Sequence, residues 1–227
     1  GTTDVWNGTF VQLGEANRGI NFTGSLDGQG HVIKNLKIDR GNQQYNGLFG
    51  AISETGRVSN LGLDGGSISG AAYTGSIVGY SLGTLTGTFS SATVTAEVYA
   101  GGLVGQQGGG SISNSYFSGS VTATADLAGG LVGQLDGGSL SNNFVSGRVT
   151  ASSGNGFAGG IMGSNFGNTV SSGNFWDTNA TGQLYAEGEW MVLPTQSGGL
   201  TTTQIQTLST FSNAGWDLDK TWVVYNG

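Results

Sequence analysis

Apolar residues along this chain come in short bursts, and within each burst they alternate with small polar ones. In "GSISNSYFSGSVTA" (Gly110–Ala123), Ile112, Tyr116 and Val121 are spaced by Ser, Asn, Gly and Thr. Alternation over four to six residues predicts strands rather than helices, and the intervening Gly, Ser and Asn predict turns. The bursts also recur. "AGGLVGQ" stands at Ala100–Gln106 and again at Ala128–Gln134, with degenerate copies "NGLFG" (Asn46–Gly50), "GSIVG" (Gly75–Gly79) and "GGIMG" (Gly159–Gly163). Their last glycines, at 50, 79, 105, 133 and 163, are 29, 26, 28 and 30 residues apart. A second phrase runs in phase, opening at Ile33, Val58, Leu85, Ile112, Leu140 and Val170. Asn stands two places on at Asn35, Asn60, Asn114 and Asn142, while Gly87 and Ser172 take the other two slots. A third phrase, "TVTA", "SVTA", "RVTA", follows at Thr93, Ser120 and Arg148.

Units of ~27 residues with three short strands each predict an all-β parallel solenoid of about six coils. One such coil buries too few side chains to offset the entropy of ordering its backbone. Stacked coils share hydrogen-bond ladders and one interior, so the repeat has to stack to be stable. In "GGLVG" the glycines then allow sharp corners and close backbone approach while an aliphatic residue points inward. The asparagine column predicts amides that hydrogen-bond along the axis.

The ends depart from the repeat. Residues 1–30 read as a first coil or cap, 31–175 as the repeats, and 176–227 as a C-terminal capping segment. In the last segment "GLTTTQIQTLSTF" predicts one short helix, with Thr201 or Thr202 as its cap and Ile205, Leu208 and Phe211 on one face. "WDLDKTWVVYNG" predicts a closing strand. Trp176, Trp190, Trp216 and Trp222 all lie there. The plainer reading is that they plug the core; the sharper one is a sugar-stacking surface.

Composition narrows the function. Glycine supplies 45 of 227 residues, proline one and cysteine none, so collagen, disulfide staples and Cys-zinc sites are excluded. With 36% hydrophobic and 9% charged residues the chain can bury apolar surface, which argues against disorder. A net charge of -7 argues against nucleic acid and anionic membranes. No apolar run approaches the ~20 residues of a membrane span. The chain begins without Met or a signal peptide, as expected of a piece of something longer.

The paired phrases "AGGLVGQ…GSISNSYFSGSVTA" resemble the GLUG repeat of bacterial surface proteins, most clearly over Tyr45–Asp177. "FTGSLDGQGHVIKNLKI" is similar to the opening coil of that group, and "NFWDTNATGQ…GLTTTQIQTLSTFSNAGWDLDKTWVV" to the segment that often follows such repeats. The motif occurs in filamentous-haemagglutinin-like adhesins exported by two-partner secretion, in other surface adhesins, and beside catalytic domains of IgA-specific metallopeptidases. The resemblance implies a right-handed parallel β-helix, extracellular on a bacterial surface, with no catalytic residues to carry over.

Candidate chemistry is thin. A polysaccharide lyase or hydrolase of β-helix fold needs two carboxylates across the scissile bond. The repeat region offers Asp39, Glu54, Asp64, Glu97, Asp126 and Asp136, no two of them in one column with an acidic neighbour. Arg148 is the only basic residue between Arg57 and Lys220. His31, the sole histidine, has no partner for a metal or a nucleophile and reads as a turn residue. "GNGFAG" (Gly154–Gly159), with Asp177 beyond it, matches a dinucleotide fingerprint by letter, but no helix pattern follows. Asn7, Asn21 and Asn179 sit in N-x-Ser/Thr acceptors, which carry little weight in so Asn- and Thr-rich a chain. Thr95, Thr122 and Thr150 form an outward column, which makes an ice-binding domain a further alternative.

The reading is a non-catalytic adhesin segment, a binding module or rigid spacer, monomeric as a fragment. It has no cofactor, no metal, no nucleic-acid partner and no membrane insertion. Its partner would be a host or matrix surface molecule, with glycans among the candidates. For contacts the sequence offers the stretch near Leu135, Ala151–Gly156 and, in preference to both, the Trp-rich tail.

Overall fold

In a computed structural model, residues 10–152, 156–167, 170–188 and 198–222 are described. Every strand pairing between coils is parallel, and the coils stack into a solenoid of about five turns with five faces rather than three. Face 1 holds Ser25–Asp27, Arg57–Ser59, Thr84–Thr86, Ser111–Ser113, Ser139–Ser141 and Val170–Ser172. Face 2 runs from Val32–Lys34 through Gly62–Asp64, Phe89–Ser90, Tyr116–Phe117 and Phe144–Val145 to Phe175–Asp177 and Gly198–Leu200. Face 3 starts at Lys37–Asp39 and ends at Arg148–Ala151; face 4 runs from Gln44–Asn46 to Ala158–Gly159, and face 5 from Phe49–Ile52 to Met162–Asn165.

The two extra faces arise because two of the three sequence phrases contain a corner. "ISNSYF" is a strand, a left-handed residue, and a second strand. Asn60, Gly87, Asn114, Asn142 and Gly173 all have φ between 50° and 63° at this corner. Asparagine and glycine are the residues that enter this region at least cost, which is why both occur in the column. Asn35 stands at a different corner, opposite Gly65 through the bond from its N–H to the Asp64 carbonyl.

The amide ladder expected of these asparagines lies one residue further on. Thr88, Ser115, Asn143 and Asn174 are buried and linked along the axis. The Ser115 N–H donates to Asn143 Oδ1 (3.0 Å), and both the N–H and Nδ2 of Asn143 donate to Asn174 Oδ1 (3.1 and 2.9 Å). Asn143 Nδ2 also reaches the Ile112 carbonyl, and Asn174 Nδ2 the Leu140 carbonyl. The file is therefore polar yet bonded, as a buried row must be.

Leu26, Val58, Leu85, Ile112 and Leu140 form one inward file of face 1. Two of the six predicted members are displaced. Ile33 pairs with Leu63 on face 2. Val170 pairs with Ser139, so Ser171 takes the inward slot opposite Leu140 and Val170 is 69% exposed. The last phrase has one more residue before its corner than the aliphatic match supposes, and a one-residue slip reverses every side chain.

"GGLVG" is the turn between faces 4 and 5. Leu48, Ile77, Leu103, Leu131 and Ile161 form its buried file. Each carbonyl in the chain Leu103, Leu131, Ile161 accepts two backbone N–H groups from the preceding coil. Gly50, Gly79, Gly105, Gly133 and Gly163 lie in register on face 5, packed on face 4. A Cβ on Gly105 would lie 2.5 Å from the Thr74 nitrogen and closer still to the Tyr73 carbonyl. The two sheets meet backbone on backbone, and that contact is the reason for the repeated phrase.

The C-terminal segment does not simply plug an end. Gly198–Leu200 adds a strand to face 2, and Thr202–Ile205 and Leu208–Asn213 are two short helices where one was expected. A further turn of helix, Thr178–Thr181, is capped by Asp177. Thr201 caps the Thr202–Ile205 helix in a capping box with Gln204. Phe211 is buried, but Leu208 is 45% exposed. The helices Thr202–Ile205 and Leu208–Asn213 lie along the outer side of face 2, where Phe211 and Trp216 cover Phe144 and Phe175 and Trp222 meets Tyr116. Trp216 donates from Nε1 to the Gly173 carbonyl (2.8 Å). Trp176 is buried in the main core, with Nε1 on the Gln183 carbonyl. Residues 216–222 carry no strand, and Trp190 and the remainder of "WDLDKTWVVYNG" lie outside the described residues.

Candidate functional site

The tryptophans favoured for contacts are thus mostly spent on packing: Trp216 and Trp176 are buried, and Trp222 stacks on Trp216 at 4.3 Å. Of the stretch Ala151–Gly156, residues 153–155 lie outside those described. The stretch near Leu135 is different. Asp136 stands there at the end of a face 5 strand, half-buried, and both its oxygens are engaged. Oδ2 accepts from Gln106 Nε2 (2.6 Å) and Oδ1 from Gln134 Nε2 (2.7 Å). Gln106 and Gln134 are successive rungs of one file that continues upward through Tyr80 and downward through Ser164.

Beside this file, face 4 presents a ladder of phenols. Tyr45, Tyr73 and Tyr99 stack with ring centroids 5.0 and 4.9 Å apart and planes within 8° and 17°. That spacing is the coil repeat itself. Tyr80 meets Tyr45 edge-on at 5.8 Å, joining the ladder to the glutamine file. Burial pushes the phenols of Tyr73 and Tyr80 above the ordinary value, and neighbouring tyrosines and the Asp136 charge act in the same direction. Both therefore stay neutral hydroxyls at physiological pH.

Tyr45 and Tyr73 carry φ of 59° and 51°. A bulky side chain in this region costs about 1–2 kcal/mol, so local preference alone would place Asn or Gly there. Sequence reasoning missed this flank because it read "NGLFG", "GSIVG" and "AGGLVGQ" for their glycines. The signal was the tyrosine in each of the three coils, at 45, 73 and 99, just ahead of those phrases.

The other sequence-level candidates are dispersed. Asp64 pairs with Lys34 (3.8 Å) and accepts from Ser91; Asp39 accepts from Ser69. Glu54 and Glu97 are exposed, and Asp126 is half-buried. Asp39 and Glu97 share a shallow depression of about 420 Å³ on face 3 with Thr95 and Thr124, Glu97 standing two residues beyond Thr95, which shares the Asp39 file two coils on. His31 is exposed in a turn, its Nδ1 2.8 Å from the Gly28 carbonyl. Among the described residues no three His, Cys, Asp or Glu side chains gather as a metal site. No described helix is long and apolar enough to cross a membrane. Thr95, Thr122 and Thr150 do form one file, headed by Asp39 and Ser69. Asn179 accepts from the Thr202 N–H through Oδ1.

Comparison with known proteins places the GLUG motif on residues 96–122, which run from the end of the "TVTA" strand through the "AGGLVGQ" turn and the Asn114 corner into the "SVTA" strand. Halomucin of Haloquadratum walsbyi is 44% identical over 84 residues, 37% of this chain. The chain spans about 1% of that relative's length. A candidate immunoglobulin A1 protease from Bacteroides ovatus, 20% identical, superposes with a TM-score of 0.45 over 78% of this chain and 68% of its own.

Proposed function

We propose that this chain is a non-catalytic module of a surface or secreted adhesive protein, at once a stiff spacer and a presenter of side-chain files for binding. The observation that carries the reading is the register of the coils, which fixes outward side chains in rows about 4.8 Å apart. A rod of this kind needs no hinge or cleft to hold a ligand. The GLUG motif and the stretch shared with halomucin support an extracellular setting. A glycan array read beside a reducing-sugar assay on the same sample tests it. Binding without turnover is expected, and release of reducing or unsaturated ends would refute it.

The rival reading, a β-helix hydrolase or lyase, would centre on Asp39 and Glu97 in the face 3 depression. Turnover abolished by Asp39→Asn or Glu97→Gln would establish it. An ice-binding role would rest on the Thr95–Thr122–Thr150 file, which Lys37, Asp39 and Arg148 flank with charge. Thermal hysteresis measured on the chain decides that alternative.

A further inference from the structure

We infer that the tyrosine ladder and the adjoining Gln106–Gln134–Asp136 cluster form a binding site for a neutral polyhydroxylated polymer, a glycan chain lying along the solenoid axis. The inference rests on the binding role proposed above and names its site and ligand class.

Three observations carry it. The first is regular display: three phenols one coil apart, with Tyr80 and Gln106 beside them, give donors and acceptors at a constant step. A linear polymer with its own repeat can meet successive rungs, whereas a small solute would use one.

The second is the polarity of the groups. Asp136 takes an Nε2 hydrogen from each glutamine and so fixes both amides. Their carbonyl oxygens are left as acceptors. That of Gln134 is shut off from solvent and out of a surface ligand's reach, so the groups such a ligand would meet are the half-buried Gln106 amide and the phenols. Phenols both donate and accept, so the flank as a whole suits a ligand that brings O–H groups. The Asp136 charge, on a chain of net charge -7, repels acidic polymers.

The third is the backbone. Tyr45 and Tyr73 hold left-handed conformations that disfavour a bulky side chain. Conformations of this kind persist where the surroundings enforce them, often at ligand-binding positions.

The test is affinity electrophoresis and calorimetry with four probes: a soluble neutral glucan, a galactomannan, polygalacturonate and poly-lysine. At least one neutral polymer should bind the intact chain. Asp136→Asn and Tyr73→Phe, which keep shape, should each weaken that binding by tenfold or more. Thr122→Val on face 3 should leave it unchanged. Melting curves identify any variant that fails to fold, and Gln106→Glu, which sets a second charge against Asp136, serves as the replacement. Neutral-glycan binding undiminished in Asp136→Asn, Tyr73→Phe and Gln106→Glu would overturn the site while leaving the binding role intact. Preference for polygalacturonate or poly-lysine would overturn the ligand class. No binding to any probe would overturn the site and the binding role together, leaving a spacer.

Discussion

Replacing Gly105 by alanine is the sharpest test of the packing. The new methyl would stand 2.5 Å from the Thr74 nitrogen and nearer to the Tyr73 carbonyl, where ordinary contact begins at 3.4 Å. Those neighbours are backbone atoms within hydrogen-bonded ladders, so no side chain can swing aside. Faces 4 and 5 would have to part by about 1 Å over at least one coil, and interiors packed at crystal density resist that. Overpacking of this sort costs about 1–3 kcal/mol when side chains can adjust. With only backbone to move, about 3 kcal/mol or more is expected. Gly109→Ala, four residues on, is the control. A Cβ there meets nothing nearer than Leu82 Cδ2 at 3.6 Å. Its reduced unfolded-state entropy should make it neutral or stabilising by up to about 1 kcal/mol. Equilibrium denaturation in urea gives both values. A Gly105→Ala chain within about 0.5 kcal/mol of the parent, an ordinary surface effect, would refute the backbone-on-backbone contact.

Other outcomes follow from the same geometry. Asn143→Ala should cost about 2–3 kcal/mol, because it strands the Ser115 N–H in the interior and removes the Nδ2 donor from Asn174 Oδ1 and the Ile112 carbonyl; a loss under 1 kcal/mol in the same denaturation assay would contradict the buried ladder. Asn114→Gly should be nearly neutral while Asn114→Ala costs about 1–2 kcal/mol, since its φ is 50°. Trp216→Ala should cost about 3–5 kcal/mol and expose the Phe144–Phe175 patch to a hydrophobic dye. Tyr73, Tyr80 and Tyr116 have raised phenol pKa values, chiefly through burial. The native chain therefore holds these protons beyond the ordinary value of about 10, and their stabilising effect is whole below that pH and lost as pH climbs through the native values. Melting temperatures should be level from mild alkali to about pH 10 and then fall, with a phenolate absorbance titration showing late-titrating tyrosines.

How much of this was legible in the sequence depends on what each residue type reports. The glycine file at 50, 79, 105, 133 and 163 was legible, because only glycine serves where two backbones touch. The inward file from Val58 to Leu140 was legible for the same reason, since aliphatic residues there face the interior and nothing else. Ile33 and Val170 were misplaced because an aliphatic residue marks burial, not which face it belongs to. Five faces were read as three because a left-handed corner inside "ISNSYF" leaves the alternation looking unbroken. The tryptophan-rich tail drew attention through composition, whereas the structure spends Trp216 and Trp222 against face 2 and Trp176 in the main core. The tyrosine ladder escaped because its members are 28 and 26 residues apart, and only the fold makes them neighbours.

Everything rests on successive coils lying in register, and the absence of cysteine makes that directly measurable. Thr95 is opposite Thr122, whereas Ser120 is two residues out of line with it. Neighbouring strands stand about 4.8 Å apart, within the reach of a disulfide. Chains carrying Thr95→Cys with Thr122→Cys should oxidise rapidly to an internal crosslink, and chains carrying Thr95→Cys with Ser120→Cys should do so far more slowly. Equal rates, or faster closure of the second pair, would contradict the stacking on which both the fold and the binding flank depend.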